Sequence, residues 1–204
     1  MLTGTGFVTL LAYILPRLGI MQQPPRLPRR LAAFSSMAMA VWCAAAWHGG
    51  LAEASLSARG RLAALGAVLC LGAAYDLRAR VIPNRLLAAV GALLVAFEAL
   101  VEPQALVSRV GSGALVSAGM VALGLLGGGA IGAGDAKLLG IVGLASGLAP
   151  SLLILAGAFV LAAVPGIYHV LFGRGLKHRM AFGPALLASA LVLAFVGFGG
   201  LFDW

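Results

Sequence analysis

The sequence predicts an all-α protein, a polytopic transmembrane helix bundle of about eight spans. Three observations carry that reading. Hydrophobic residues make up 62% of the 204 and charged residues only 10%, with a mean hydropathy of +1.06; a soluble domain is about 45–50% apolar and about 25% charged. The apolar stretches recur along the whole chain, so the surplus is not one buried core. Finally, the basic residues gather in alternate connections, the pattern that orients helices in a membrane.

In order, the candidate spans are Leu2–Pro16, Leu31–Gly49, Leu62–Tyr75, Leu86–Val101, Ser112–Ile131, Leu138–Ala149, Pro150–Phe172 and Pro184–Phe202. Crossing a bilayer takes about 20 residues, so the first, third and sixth are short. The first has no basic region before it and arginines after it, which fits a signal anchor rather than a cleaved signal peptide. Gln22-Gln23-Pro24-Pro25-Arg26-Leu27-Pro28 is an extended proline-rich connector. The sixth and seventh spans meet at Gly147-Leu148-Ala149-Pro150, a tight turn between antiparallel helices. Residues 1–61 form an N-terminal membrane region with two candidate spans, and 62–204 a membrane core.

Eleven of the fourteen basic residues fall in the loops after spans one, three, five and seven. Those loops are expected in the cytoplasm, with both termini outside. The net charge of +8 is then topology signal and contact with anionic lipid of the bilayer, and calls for no nucleic acid. Cys43 and Cys70 sit far apart inside apolar stretches, and His48, His169 and His178 are dispersed, so no metal site is expected.

Two polar motifs interrupt this apolar background, and each holds one of the chain's three aspartates. The first is Tyr75-Asp76-Leu77-Arg78-Ala79-Arg80-Val81-Ile82-Pro83-Asn84. Asp76 falls near the C-terminal end of a span, where a negative charge opposes the helix dipole; Arg78 and Arg80 can offset it. Pro83 redirects the chain, and Asn84, the only asparagine, is placed to cap a helix beginning at Arg85. The second motif is Gly132-Ala133-Gly134-Asp135-Ala136-Lys137. Asp135 can cap the next helix, or stand at a broken helix end that an extended peptide can reach. Gly128 and Gly132 have the GxxxG spacing of close helix packing. The formal G-x-G-x-x-G at Gly127, Gly129 and Gly132 has no strand before it, which argues against dinucleotide binding. An ionisable residue beside hydrocarbon is a functional hypothesis by default. Two carboxylates at one membrane face suggest an acid pair in which one is protonated and one ionised.

Together the motifs resemble those of the type IV prepilin peptidases, bacterial membrane aspartyl proteases with a GxGD motif. Asp76 to Asn84 is similar to the family's D-x-R-x-x-x-I-P-N, with Val81 where a further basic residue is common. Gly132 to Lys137 is similar to its G-x-G-D-x-K, and Phe182-Gly183-Pro184 resembles a glycine-proline motif near its last span. The resemblance implies endoproteolytic removal of the leader from a prepilin or pseudopilin, at the cytoplasmic face of the bacterial inner membrane. It implies Asp76 and Asp135 as catalytic residues, with Arg78, Pro83, Asn84, Gly132, Gly134 and Lys137 in support, and no cofactor. The short first cytoplasmic loop lacks the paired CxxC motifs of the methylating bifunctional members, so the chain looks more like the compact Flp/Tad class. Two other readings remain at this point: a catalytically inactive assembly component, and a small proton- or cation-coupled transporter.

Overall fold

Backbone amides in hydrocarbon must be satisfied within their own segment. The computed structural model describes residues 29–46, 55–127, 131–172 and 181–195, and its regular structure there is helical, with no strand. The helices are α1 (Arg29–Ala46), α2 (Leu56–Ala79), α3 (Asn84–Val101), α4 (Pro103–Leu126), α5 (Ala133–Ser146), α6 (Leu148–Leu171) and α7 (Gly183–Phe195). Four are long and apolar enough to cross a membrane: Ser57–Ala79, Asn84–Val101, Pro103–Leu126 and Leu148–Tyr168. Two more, Ala33–Ala46 and Gly183–Phe195, are apolar but shorter. The first candidate span and the proline-rich connector lie outside the described residues.

Short connections make neighbouring helices antiparallel from α2 to α6, so two ends of the bundle can be distinguished. One carries Asp76, Asn84 and Asp135; the other carries Arg61, Glu98, Glu102 and Arg109. At this second end the structure corrects two expected boundaries. Helix α2 starts at Leu56 and not Leu62, and α4 starts at Pro103 and not Ser112. One cause accounts for both. Hydropathy reads Arg61 and Arg109 as surface punctuation, yet they are only 2% and 4% exposed. Arg61 Nη1 bonds Glu98 at 3.3 Å and Glu102 at 3.0 Å, and Arg109 Nη1 donates to the Ala145 carbonyl at 3.3 Å. Paired in this way, both arginines lie within helices instead of ending them. The Ser57 hydroxyl donates to Glu102; that bond, followed by Arg61, holds the Glu102 carboxyl below its ordinary range. Ser55 caps α2 by accepting from the Ala58 amide at 3.2 Å, and Pro103 opens α4 at a position where its missing N–H costs nothing.

Helix α5 is the centre of the bundle, in contact with α2, α3, α4 and α6. Leu138, Leu139 and Val142 are fully buried. Its closest neighbour is α4, and the backbones nearly touch. A Cβ on Gly113 would lie 2.6 Å from the Gly140 carbonyl oxygen, and one on Gly143 would lie 2.9 Å from Gly113 Cα. A small-residue contact is thus made by glycines of α4 and α5; of the pair expected to make one, Gly128 lies outside the described residues and Gly132 serves as the N-cap of α5. The expected turn before α6 is tighter than four residues. Gly147 alone, at φ 80°, separates Ser146 from the helix that resumes at Leu148, in a region of backbone space that favours glycine. Helix α1 is pinned to α2 by Trp42, whose indole N–H donates to the Leu62 carbonyl at 3.0 Å.

Candidate active site

Asp76 occupies the last turn of α2 and is buried. The helix is closed by Arg80, whose amide donates to the Asp76 carbonyl at 2.9 Å from a left-handed conformation, φ 51° and ψ 30°. That cap is usually glycine, and an L side chain in it costs about 1–2 kcal/mol. The turn is held by Ile82, which is buried and faces Gly134, where a Cβ would come within 3.6 Å of the Ile82 Cβ. The first motif thus rests on the N-terminal turn of the second.

Asn84 does not cap a helix starting at Arg85. It is the first residue of α3, the N-cap is Pro83 at φ −62°, and no side chain makes a cap bond there. Proline's fixed φ sets the entry to the helix without help, which leaves the Asn84 amide for another partner. Its Oδ1 accepts from Lys137 Nζ at 2.9 Å, joining the two motifs a second time.

Asp135 is not an N-cap either. The N-cap is Gly132 and Asp135 is the third helical residue. The Gly132 amide favours its ionised carboxylate, and its charge sits favourably in the first turn. A Cβ on Gly132 would stand 3.2 Å from Asp135 Oδ2, so the glycine leaves that oxygen accessible.

A third segment completes the arrangement. The Gly183 amide, at the start of α7, donates to Asp76 Oδ2 at 2.7 Å across 107 residues of sequence. Gly183 was not among the residues assigned to the site from sequence, although the Phe182-Gly183-Pro184 motif was its visible signal. A Cβ there would meet Asp76 Cβ and Oδ2, each at 3.1 Å, and the α2 backbone at Ala73 Cα, 3.2 Å away. Gly183→Val should therefore push α7 off Asp76 and lower thermal stability in detergent by about 1–3 kcal/mol, the usual cost of overpacking; an unshifted melting curve would show that this contact tolerates bulk.

The two carboxyls sense each other. Burial, and after it the charge of Asp76, raises Asp135 from its ordinary 3.8 to about 6, against the opposing Gly132 hydrogen bond. Its proton is held more tightly in the folded chain than in the unfolded one. Between about pH 4 and pH 6 the native state therefore binds more protons, and stability falls as pH rises through that window. Stability measured from pH 4 to 7 should show this decline in the wild type and a flatter profile in Asp135→Asn. Arg78 lies half-buried in the last turn of α2, with Arg80 exposed beyond it. Among the described residues, no three His, Cys, Asp or Glu side chains are grouped to hold a metal ion.

A family model described as the type IV leader peptidase family matches residues 63–167, just over half of the chain, and that stretch contains both aspartates. The chain belongs to the type IV leader peptidase family. No curated protein and no solved structure matched it. As a leader peptidase-like membrane protein, it has its two polar motifs meeting at one end of a helical bundle. The family match stops before Gly183, so the hold on Asp76 from α7 is a finding of the fold.

Proposed function

We propose that this leader peptidase family member is an aspartic endopeptidase that removes the leader of type IV prepilins or pseudopilins at the cytoplasmic face of the bacterial inner membrane, with Asp76 and Asp135 as the catalytic pair. The observation that carries this reading is the meeting of the two acids. They come from separate motifs at one end of the bundle, which meet at Ile82 and Gly134 and again at Asn84 and Lys137, and the charge of Asp76 raises Asp135. Asp76 is anchored by the Gly183 amide.

In that role the pair shares one proton. One carboxylate takes a proton from the attacking water while the other, protonated, polarises the scissile carbonyl. The titration belongs to the pair and not to either residue. The Gly183 amide fixes the Asp76 carboxyl, and Ile82, Pro83 and Gly134 hold the two motifs in register. Lys137 with Asn84 ties α5 to α3, and Arg78 adds positive charge beside the site. The substrate is a basic leader followed by an apolar helix, and no cofactor takes part.

The test is co-expression with candidate prepilins, scored by leader removal. Unprocessed prepilin beside abundant, folded protein would sink the assignment. Orientation is checked separately. Cysteines placed at positions 80 and 137 should both be labelled from the cytoplasmic side only; labelling from opposite sides would part the two acids and end the proposal.

A further inference from the structure

A groove of about 560 Å³ opens on the surface between α3 and α4, with α5 as its floor. It is lined by Ala88 and Val95 of α3, Ala114 and Ser117 of α4, and Ile141 and Leu144 of α5. Its polar end is the hydrogen-bonded pair Asn84 and Lys137, at the same end of the bundle as the aspartates. The eleven-residue separation of Asn84 and Val95 along α3 gives it a length of about 17 Å, roughly half the hydrocarbon thickness.

We propose that this groove seats the apolar helix of the substrate, the segment that follows the scissile bond. The inference rests on the peptidase reading above. Ala88 and Ala114 are exposed on the facing walls, and small residues at such positions let a second helix come close in a membrane. The groove runs up to the Asn84–Lys137 pair, two residues from Asp135, which joins it to the end of the bundle that carries the acids.

The geometry also fixes the path of the chain. Lys137 follows Asp135 by two residues, about 200° around α5, so groove and carboxylate lie on opposite sides of the same first turn. A peptide leaving the groove would reach the acids by crossing the N-terminal end of α5 at Gly132, which is exposed among the described residues and carries no side chain. That crossing is about one helix diameter, 10–12 Å, or roughly three extended residues. The docked helix therefore begins about three residues after the scissile bond.

The experiment places a photo-crosslinking benzophenone side chain at position 88 or 114, with position 160 as control; Val160 on α6 is 68% exposed. Each variant is co-expressed with a type IV prepilin, and membranes are irradiated. Adducts with the prepilin's apolar helix are expected at 88 and 114 and not at 160. In parallel, Ala114→Trp should raise KM for full-length prepilin at least about tenfold, with a much smaller effect on a leader peptide that lacks the apolar helix, while Val160→Trp changes neither. Should the bulky variants fail to accumulate, Ala114→Cys with a cysteine in the prepilin helix tests the same contact by disulfide formation. Normal cleavage with no groove adduct, adducts with lipid only, or equal adducts at 160 would overturn the docking site and leave the peptidase reading intact. Groove adducts without any cleavage by the otherwise unmodified protein would do the reverse.

Discussion

Asp76→Asn and Asp135→Asn should each lower leader cleavage by about 10²–10⁴-fold, the range that a positioned acid or base supplies, and the double variant should be little worse than either. A shared proton needs both carboxyls, and groups that act as a unit are far from additive. The amide keeps the size of the carboxyl and at position 76 can still accept from Gly183, so membrane abundance should stay near wild type. That separates chemistry from packing. Lys137→Gln removes the charge but keeps a donor for Asn84, and should be milder. The readout is prepilin processing with protein levels measured in parallel. Near-normal processing by either Asp→Asn variant would dissolve the pair.

The second large effect is expected at the other end of the bundle, away from the proposed chemistry. Glu98 and Arg61 are 1% and 2% exposed, and Arg61 Nη2 has no hydrogen-bond partner among the described residues. Removing one member of a buried pair leaves the other charge uncompensated, at a cost of about 3–5 kcal/mol. Glu98→Ala should fall at the lower end of that range, because Glu102 still bonds Arg61. Combining Arg61→Met with Glu98→Leu should recover much of the loss, since apolar replacement of a whole buried pair is often neutral or better. Unfolding in detergent measures both. A negligible change in Glu98→Ala would mean that water reaches the cluster freely.

These two ends of the bundle differ in how far they could be read from sequence. Asp76, Asp135 and their glycine and proline neighbours stand out because they are polar or conformationally special residues in an apolar background. The helix class followed from composition, and most span positions from the apolar runs. The errors share a physical origin: a one-dimensional profile assigns each polar residue to the surface or to its own local backbone. Arg61 and Arg109 are instead paired with residues 36 to 41 positions away, so helices were cut short there. Asn84 was given to its own helix and belongs to Lys137, 53 residues on. The glycines of the α4–α5 crossing lie on two helices, Gly113 on one and Gly140 and Gly143 on the other, and no spacing rule within one segment can pair them. Gly183 reaches Asp76 only through the tertiary fold.

The brevity of α5 has one more consequence. Fourteen residues make about 21 Å of helix, some 9 Å less than the hydrocarbon layer is thick, and this is the helix whose first turn holds the second aspartate. It is walled in by longer neighbours, so the shortfall does not have to be met by thinning the surrounding lipid. It can be met by non-helical chain or by solvent held inside the protein, where irregular backbone is tolerated at membrane depth. A carboxyl pair at the end of so short a central helix would stand nearer the middle of the layer than the ends of its longer neighbours do. For the hydrolysis proposed above, the placement matters because the reactant scarcest in hydrocarbon is water, and the protein itself would have to admit it.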